Sequence, residues 1–173
     1  MGRSPKNGSA HPGAKVTYRD VAAQPLPHWT PVVDAGELAG RLGGNVLDEF
    51  LAADVVVIGP PMCNFGVPSA LEAWMDRIAV AGQTFRYGTN GPEGLAGDKR
   101  VIIASSSGDF YGAGTPGGAA DFQATYLRQL FGFLGVSAIE IIRAEGVNSS
   151  AEQKTQAIAA MHAAIRANEW LAA

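Results

Sequence analysis

The stretch Asp54-Val55-Val56-Val57-Ile58 runs into Pro60-Pro61-Met62-Cys63-Asn64-Phe65-Gly66-Val67-Pro68, and this junction decides the fold. The first run is apolar and β-branched, as in a strand that is buried on both faces. After the prolines, apolar residues recur at i, i+3, i+4 and i+7, which predicts an amphipathic helix from about Ser69 to Val80. These residues are Leu71, Trp74, Met75 and Ile78. A buried strand, a proline-bounded loop and a helix make a βα unit, so we expect an α/β protein.

The same periodicities predict the other elements. Further strands are expected at Lys15–Arg19, Arg100–Ala104 and Ala138–Arg143. Further helices are expected from Asp34 to Phe50, in two pieces broken at Gly43-Gly44; from about Asp121 to a C-cap at Gly135; and after a capping box at Ser149 or Ser150. The last helix carries Ile158, Met161, Ile165 and Leu171 and is expected to pack on the sheet.

The chain is expected to form one domain after a short tail. Residues 1–14 contain glycine, proline and serine without periodic apolar positions, which predicts a flexible N-terminal tail. The remaining 15–173 fit the usual size of a single domain.

The proline loop is the first candidate ligand site. In open α/β sheets, ligands bind at the carboxyl ends of the strands. Pro60 and Pro61 fix φ and lack N–H groups, so the N–H groups of Met62 through Val67 are expected to face a planar polar ligand. The alternative is an ordinary strand-to-helix turn.

Two further segments are candidates. Phe85 and Tyr87 are two residues apart, so an extended backbone puts both rings on one side, before a turn at Asn90-Gly91. They could stack on a planar ligand, or they could close one end of the core. The small residues Ser105-Ser106-Ser107-Gly108 follow a predicted strand and would let a ligand approach the backbone.

Composition excludes several classes of protein. The 173 residues are 47% hydrophobic and 17% charged, with a net charge of −3, so no basic surface for nucleic acid is expected. The apolar runs are too short for a membrane span, and the start lacks the apolar core of a signal peptide. The single cysteine fits a reducing compartment, so we expect a cytoplasmic protein without membrane association.

Other chemistries have little support in the sequence. His11, His28 and His162 are scattered, which predicts no metal site. Cys63 has no base placed beside it, which argues against a covalent nucleophile. A glycine-rich nucleotide motif after a strand is absent from the sequence, so tight nicotinamide binding of the Rossmann type is not expected.

Two motifs resemble the FMN-dependent NADH azoreductase, or NAD(P)H quinone reductase, family of flavodoxin-like enzymes. That family has Pro-Met-Tyr-Asn-Phe where this chain has Pro61-Met62-Cys63-Asn64-Phe65. Its second motif reads much like Gly82 to Leu95. The resemblance implies a doubly wound parallel sheet with helices on both faces, so that 15–173 would be a flavodoxin-like flavin-binding domain.

The resemblance also implies an activity and a set of site residues. The protein would be an oxidoreductase that transfers electrons from NADH or NADPH through bound FMN to quinones or azo compounds, by a ping-pong mechanism. Cofactor-binding residues would be Met62, Cys63, Asn64, Phe65, Ser105, Ser106, Ser107 and Gly108. The substrate pocket would contain Phe85, Tyr87 and Phe133, contributed within a homodimer; Phe133 could instead be an interface residue. No catalytic side chain is expected.

The chain departs from the family at its start and in the serine loop. Family members begin with the central strand, a phosphate-binding loop and a helix, and residues 1–14 do not match these, so the first strand is expected to be missing. Ser106 and Ser107 replace the usual arginine or serine and the first glycine of the family's loop. An alternative function is therefore a shortened family member without flavin activity that acts as a dimeric structural or interaction protein.

Overall fold

The computed structural model describes residues 13–28 and 44–168. Apart from one inserted hairpin, strands and helices alternate along this part of the chain, as expected for an α/β protein. In order, the elements are α1 (Gly44–Ala52), β1 (Val55–Ile58), α2 (Ser69–Ile78), β2 (Phe85–Gly88), β3 (Gly91–Gly94), β4 (Arg100–Ser106), a 3-10 turn (Gly118–Ala120), α3 (Phe122–Phe133), β5 (Ala138–Ala144) and α4 (Ala151–Ala167).

The main sheet is parallel, with strand order β1-β4-β5. Val55 of β1 lies opposite Arg100 of β4, which in turn lies opposite Ala138 of β5. The three strands predicted from the sequence are confirmed, with their ends shifted by one or two residues. Among the described residues, however, β1 is not buried on both faces, because Val57 is 56% exposed. Parallel pairing brings the carboxyl ends of all three strands to one edge of the sheet.

The core lies between one face of this sheet and helices α2 and α3. Val101 and Ile103 of β4 are buried against it, as the alternation of a strand requires. The predicted helical stripes supply the other side: Met75 and Ile78 from α2, and Leu127, Phe131 and Leu134 from α3 and its C-terminal cap. Asp121 caps the start of α3 by accepting a hydrogen bond from the Ala124 N–H at 2.9 Å.

Strands β2 and β3 form an antiparallel hairpin that is anchored at the end of α3. Gly94 and Gly135 meet there backbone to backbone, since a Cβ on Gly94 would lie 2.1 Å from the nitrogen of Gly135. Gly135 has φ +97°, as predicted for a residue that ends a helix. The Ala96 N–H donates to the Leu134 carbonyl at 2.8 Å and fixes the same junction. These contacts set where Phe85 and Tyr87 are placed.

One expectation from the sequence is wrong, and another is confirmed only in part. Lys15–Arg19 is not a strand. Val16 and Tyr18 are each 68% exposed, so no described part of the protein covers the apolar side of this segment. Arg19 instead forms a two-point ion pair with Glu49, with nitrogen to oxygen distances of 2.8 and 2.9 Å. The last helix, α4, packs on the sheet beside β5 as expected, with Ala157 buried. Of its predicted apolar stripe, Met161 and Ile165 are half-buried, Ile158 is 37% exposed, and Leu171 lies outside the described residues.

Other expectations fall on residues that the structure does not describe. Residues 1–12 of the predicted tail and the first piece of the helix from Asp34 lie outside the described residues, and the second piece is α1. Among residues 13–28 and 44–168, β1 has a partner strand on one edge only, and Val57 is 56% exposed. The expectation that the first strand is missing stays a prediction.

The glycine junction yields the first test. Gly94→Ala should lower the free energy of unfolding by about 3 kcal/mol, because its Cβ meets backbone atoms that cannot move aside. Gly88→Ala is the matched control in the same hairpin, since its Cβ would lie an ordinary 3.6 Å from the Gly91 oxygen. Urea unfolding of both variants measures the difference, and equal midpoints would contradict the packing described.

Candidate active site

Three loops meet at the carboxyl edge of the parallel sheet. Residues 60–66 follow β1, 107–112 follow β4 and 145–149 follow β5. The first turn of α3 lies beside them, since the Gln123 N–H donates to the Phe65 carbonyl at 2.8 Å. This edge is where open α/β sheets bind their ligands.

The loop after β1 is a tight turn attached to β4. The pairing with β4 continues past the end of β1, because the Met62 N–H donates to the carbonyl of Ser106, the last residue of β4, at 2.7 Å. Cys63 and Gly66 then exchange two hydrogen bonds of 3.0 and 2.9 Å. Between them, Asn64 has φ +47° and Phe65 has φ +68°. Two successive non-glycine residues in the left-handed region are uncommon and mark a strained turn of the kind found at functional sites.

The hydrogen bonds of this turn decide which N–H groups face outward. The N–H groups of Met62, Cys63 and Gly66 are used within the chain, so the expectation that all those from Met62 to Val67 face a ligand is too broad. Asn64, Phe65 and Val67 have N–H groups with no acceptor in the described part of the chain, and those of Asn64 and Phe65 are adjacent. Two such groups side by side can bind the acceptor edge of a planar ligand.

The serine loop after β4 is mostly occupied by internal contacts. Ser105 is buried and its Oγ donates to the Gln123 side chain. Ser107 is also buried, and its Oγ donates to the Asp109 carbonyl at 2.8 Å. Ser106 is half-buried, and its hydroxyl has no partner among the residues that the structure describes. Ser105 and Ser107 therefore build this edge of the sheet, while Ser106 borders the space above it.

A shallow groove lies beside the turn. It has a volume of about 470 Å³ and is lined by Gly108, Asp109, Tyr111, Asn148 and Ser149. A side chain at position 108 would narrow it, because a Cβ there would lie 2.8 Å from Nδ2 of Asn148. The Tyr111 ring contacts the Phe65 ring edge to face, with 5.8 Å between centroids, and this contact joins the groove to the turn.

Sequence reasoning missed four of the five lining residues. Asp109 and Tyr111 follow β4 directly, and Asn148 and Ser149 follow β5. Their place after the carboxyl ends of neighbouring parallel strands was the available signal. In residues 13–28 and 44–168, no three histidine, cysteine, aspartate or glutamate side chains form a group that could hold a metal ion.

The aromatic rings of Phe85, Tyr87 and Phe133 form a cluster, as expected, but the cluster lies away from the Asn64–Phe65 turn. The Phe85 ring is 5.6 Å from that of Tyr87 and 4.7 Å from that of Phe133, between centroids. Phe133 ends α3, whereas Gln123 at the start of α3 contacts the turn. Ten residues at 1.5 Å each separate these two ends by about 15 Å. A single chain therefore does not bring the aromatic cluster to the turn.

Comparison with known proteins agrees with the fold and the motifs. An FMN-dependent NADH:quinone oxidoreductase of Methylorubrum extorquens is 52% identical over 160 residues, which is 86% of this chain and 79% of that protein. The enzyme of the same name from Rhizobium meliloti is 50% identical over 159 residues, covering 86% of this chain and 77% of its own length.

Solved structures agree as well. The crystal structure of azoreductase AzrA superposes with a TM-score of 0.79 at 28% identity, covering 91% of this chain and 83% of that one. An FMN-dependent NADH-azoreductase from Bacillus anthracis str. Ames Ancestor, solved in complex with FMN, gives a TM-score of 0.72 at 28% identity, covering 90% and 80%.

No helix among the described residues has the length and apolar character needed to cross a membrane.

The family model described as "Flavodoxin-like fold" matches residues 7–168. That match spans nearly the whole sequence and agrees with the parallel sheet, the helices and the ligand edge described above. The chain belongs to the family of proteins with a flavodoxin-like fold.

Proposed function

We propose that this protein is an FMN-dependent oxidoreductase that transfers electrons from NADH to quinones and to azo compounds. The observation that carries the proposal is the Asn64–Phe65 turn, which presents two unused N–H groups at the ligand edge of the sheet. Relatives about 50% identical are named FMN-dependent NADH:quinone oxidoreductases, and the azo substrate follows from the names of the similar solved structures.

The residues around the turn fit a flavin. An isoalloxazine ring has carbonyl oxygens and ring nitrogens along one edge, which match the N–H groups of Asn64 and Phe65. The Ser106 hydroxyl can donate to the same edge or accept from it. Gly108 leaves the groove open for a close approach of the ring to the backbone. In this proposal Met62, Cys63, Ser105 and Ser107 contribute by holding the loops in place.

The chemistry supplied by bound FMN is the acceptance of a hydride from a nicotinamide and the delivery of two electrons to the acceptor. The chain's residues bind and orient the flavin, and the open groove admits the donor and the acceptor in turn. The net reaction transfers two electrons and one proton from NADH to the acceptor and takes the second proton from water in the open groove, so no protein side chain has to exchange a proton. Because both reactants use the same groove, the donor leaves before the acceptor binds, which is a ping-pong mechanism.

The homodimer expected from the sequence is part of the proposal. Phe122, Tyr126 and Phe133 lie on one face of α3, and Phe122 is 61% exposed. The Tyr126 hydroxyl donates to Glu72 at 2.6 Å, and burial together with that carboxylate raises its pKa. The hydroxyl is thus neutral and already partnered, so this face can be covered by an apolar surface.

A two-fold axis across this face would complete the site. Symmetric pairing of α3 with α3 of a second copy can run antiparallel, because a perpendicular two-fold axis reverses the helix direction. The Phe133 end of one copy would then lie near the Phe65 end of the other. This arrangement would bring Phe85, Tyr87 and Phe133 of the partner subunit to the Asn64–Phe65 turn. Within one chain, the aromatic cluster and the turn lie at opposite ends of α3, about 15 Å apart.

The turn itself is tested by changing Asn64. Asn64→Pro removes one N–H group and cannot adopt φ +47°, so FMN affinity should fall by roughly a hundredfold or more. Asn64→Gly keeps the N–H and tolerates positive φ, so it should bind FMN within about threefold of the parent protein. Quenching of flavin fluorescence gives both affinities, and circular dichroism checks the fold. A proline variant that binds FMN like the parent would place the flavin elsewhere.

The dimer is tested by sedimentation at micromolar concentration. The parent protein should sediment at twice the 18.0 kDa mass of the chain, and Phe122→Glu should shift it to the monomer by placing a charge in the apolar face. Ile158→Glu is the control, because it puts the same charge on an exposed apolar residue of α4. A monomeric parent, or equal behaviour of the two variants, would overturn this interface.

The order of binding is tested by initial rates. With NADH and a soluble quinone varied together, reciprocal plots should be parallel lines, since each reactant meets a different form of the enzyme. Lines that intersect would show that donor and acceptor are bound at the same time.

A further inference from the structure

The side-chain amide of Gln123 is buried where helix α3 meets the Asn64–Phe65 turn. It is 1% exposed, although it lies in the first turn of the helix, where glutamine is usually solvated. Its neighbour Asp121 caps the helix and pairs with Arg143 at 2.8 Å, which fixes this end of α3 against the sheet. Gln123 therefore projects from a rigid position.

Every polar group of the side chain is used, and the donors go to the turn. Nε2 donates to the carbonyls of Pro61 at 3.0 Å and Gly66 at 3.3 Å, one on each side of Asn64 and Phe65. Oε1 accepts from the Ser105 hydroxyl. The backbone N–H of Gln123 donates to the Phe65 carbonyl at 2.8 Å. One residue thus contacts the turn at its start, its middle and its end.

The orientation of the amide is determined by these partners. Reversing oxygen and nitrogen would place Oε1 against two carbonyl oxygens, which cannot donate. A glutamine side chain is long enough to reach these partners, and it supplies two N–H donors for the two carbonyls and one oxygen acceptor for the Ser105 hydroxyl. An ionised glutamate has no donor, and methionine has the length but neither group.

The turn needs such support because its backbone is strained. Left-handed residues other than glycine persist only where surrounding contacts fix them. The mutual hydrogen bonds of Cys63 and Gly66 close the turn but do not attach it to the rest of the protein. Besides the contact between the Phe65 and Tyr111 rings, that attachment comes from hydrogen bonds to Ser106 on one side and to Gln123 on the other.

We infer that Gln123 is the positioning residue that holds the Asn64–Phe65 N–H groups in place for a planar ligand. Its effect on flavin affinity rests on the proposed function, whereas its effect on the turn does not. The inference is therefore tested with two measurements, one without flavin and one with it.

The first measurement is amide hydrogen exchange of the flavin-free protein. In Gln123→Met and Gln123→Glu, the amides of Cys63 and Gly66 should exchange about tenfold faster or more, while those of Ile102 and Ile103 in β4 keep their rates. Gln156→Met, at an exposed glutamine of α4, is the matched control and should leave all four amides unchanged. A merely structural role would speed exchange in the turn and in β4 alike, and that result would overturn the inference, as would unchanged rates in the turn.

The second measurement is titration with FMN. Both Gln123 variants should bind it about tenfold more weakly or worse, with Gln156→Met equal to the parent. Ser105→Ala removes only the partner of Oε1, so its loss should be smaller. If the parent binds no FMN, the proposed function fails while the exchange result still decides the role of Gln123. If the parent binds FMN and the Gln123 variants bind it equally well, this inference is wrong.

Discussion

The parallel pairing of β1 with β4 is the interaction on which the site depends. It places the ends of both strands at one edge of the sheet, and it continues beyond the end of β1 through the hydrogen bond from Met62 to Ser106. Without that extension the loop after β1 would leave the sheet at Gly59. With it, the chain must reverse within a few residues to begin α2 at Ser69. The left-handed turn at Asn64 and Phe65 is the consequence.

In the proposed function, that turn is the surface that binds the flavin. The N–H groups on either side of it are consumed in building it, which leaves those of Asn64 and Phe65 for a ligand. The side chain of Cys63 is exposed and takes no part in these hydrogen bonds. Because the turn does not depend on this side chain, cysteine can stand here in place of the tyrosine of the Pro-Met-Tyr-Asn-Phe motif.

The strands and the core-facing helices could be predicted because each leaves a recognisable pattern of apolar residues in the sequence. β4 carries a continuous apolar run in which Val101, Ile102 and Ile103 are all buried, and Leu127, Phe131 and Leu134 repeat with the helical turn. The same reasoning failed at Lys15–Arg19, because alternation shows that a strand could form but not that a partner or an apolar surface is present to receive it. It also overestimated the packing of Ile158, since the period of a helix does not reveal how closely the sheet approaches it. Gln123 could not be predicted, because a polar residue in a helix is normally solvated and its burial arises from long-range docking.

The central claim is that FMN is held by the N–H groups of the Asn64–Phe65 turn, and nitrogen-15 NMR of the labelled protein tests it most directly. On titration with FMN, the amide protons of Asn64 and Phe65 should move downfield as they gain acceptors, and by more than those of Cys63 and Gly66, which are already bonded. Binding of FMN that leaves the Asn64 and Phe65 signals in place, or no binding at all, would contradict the account.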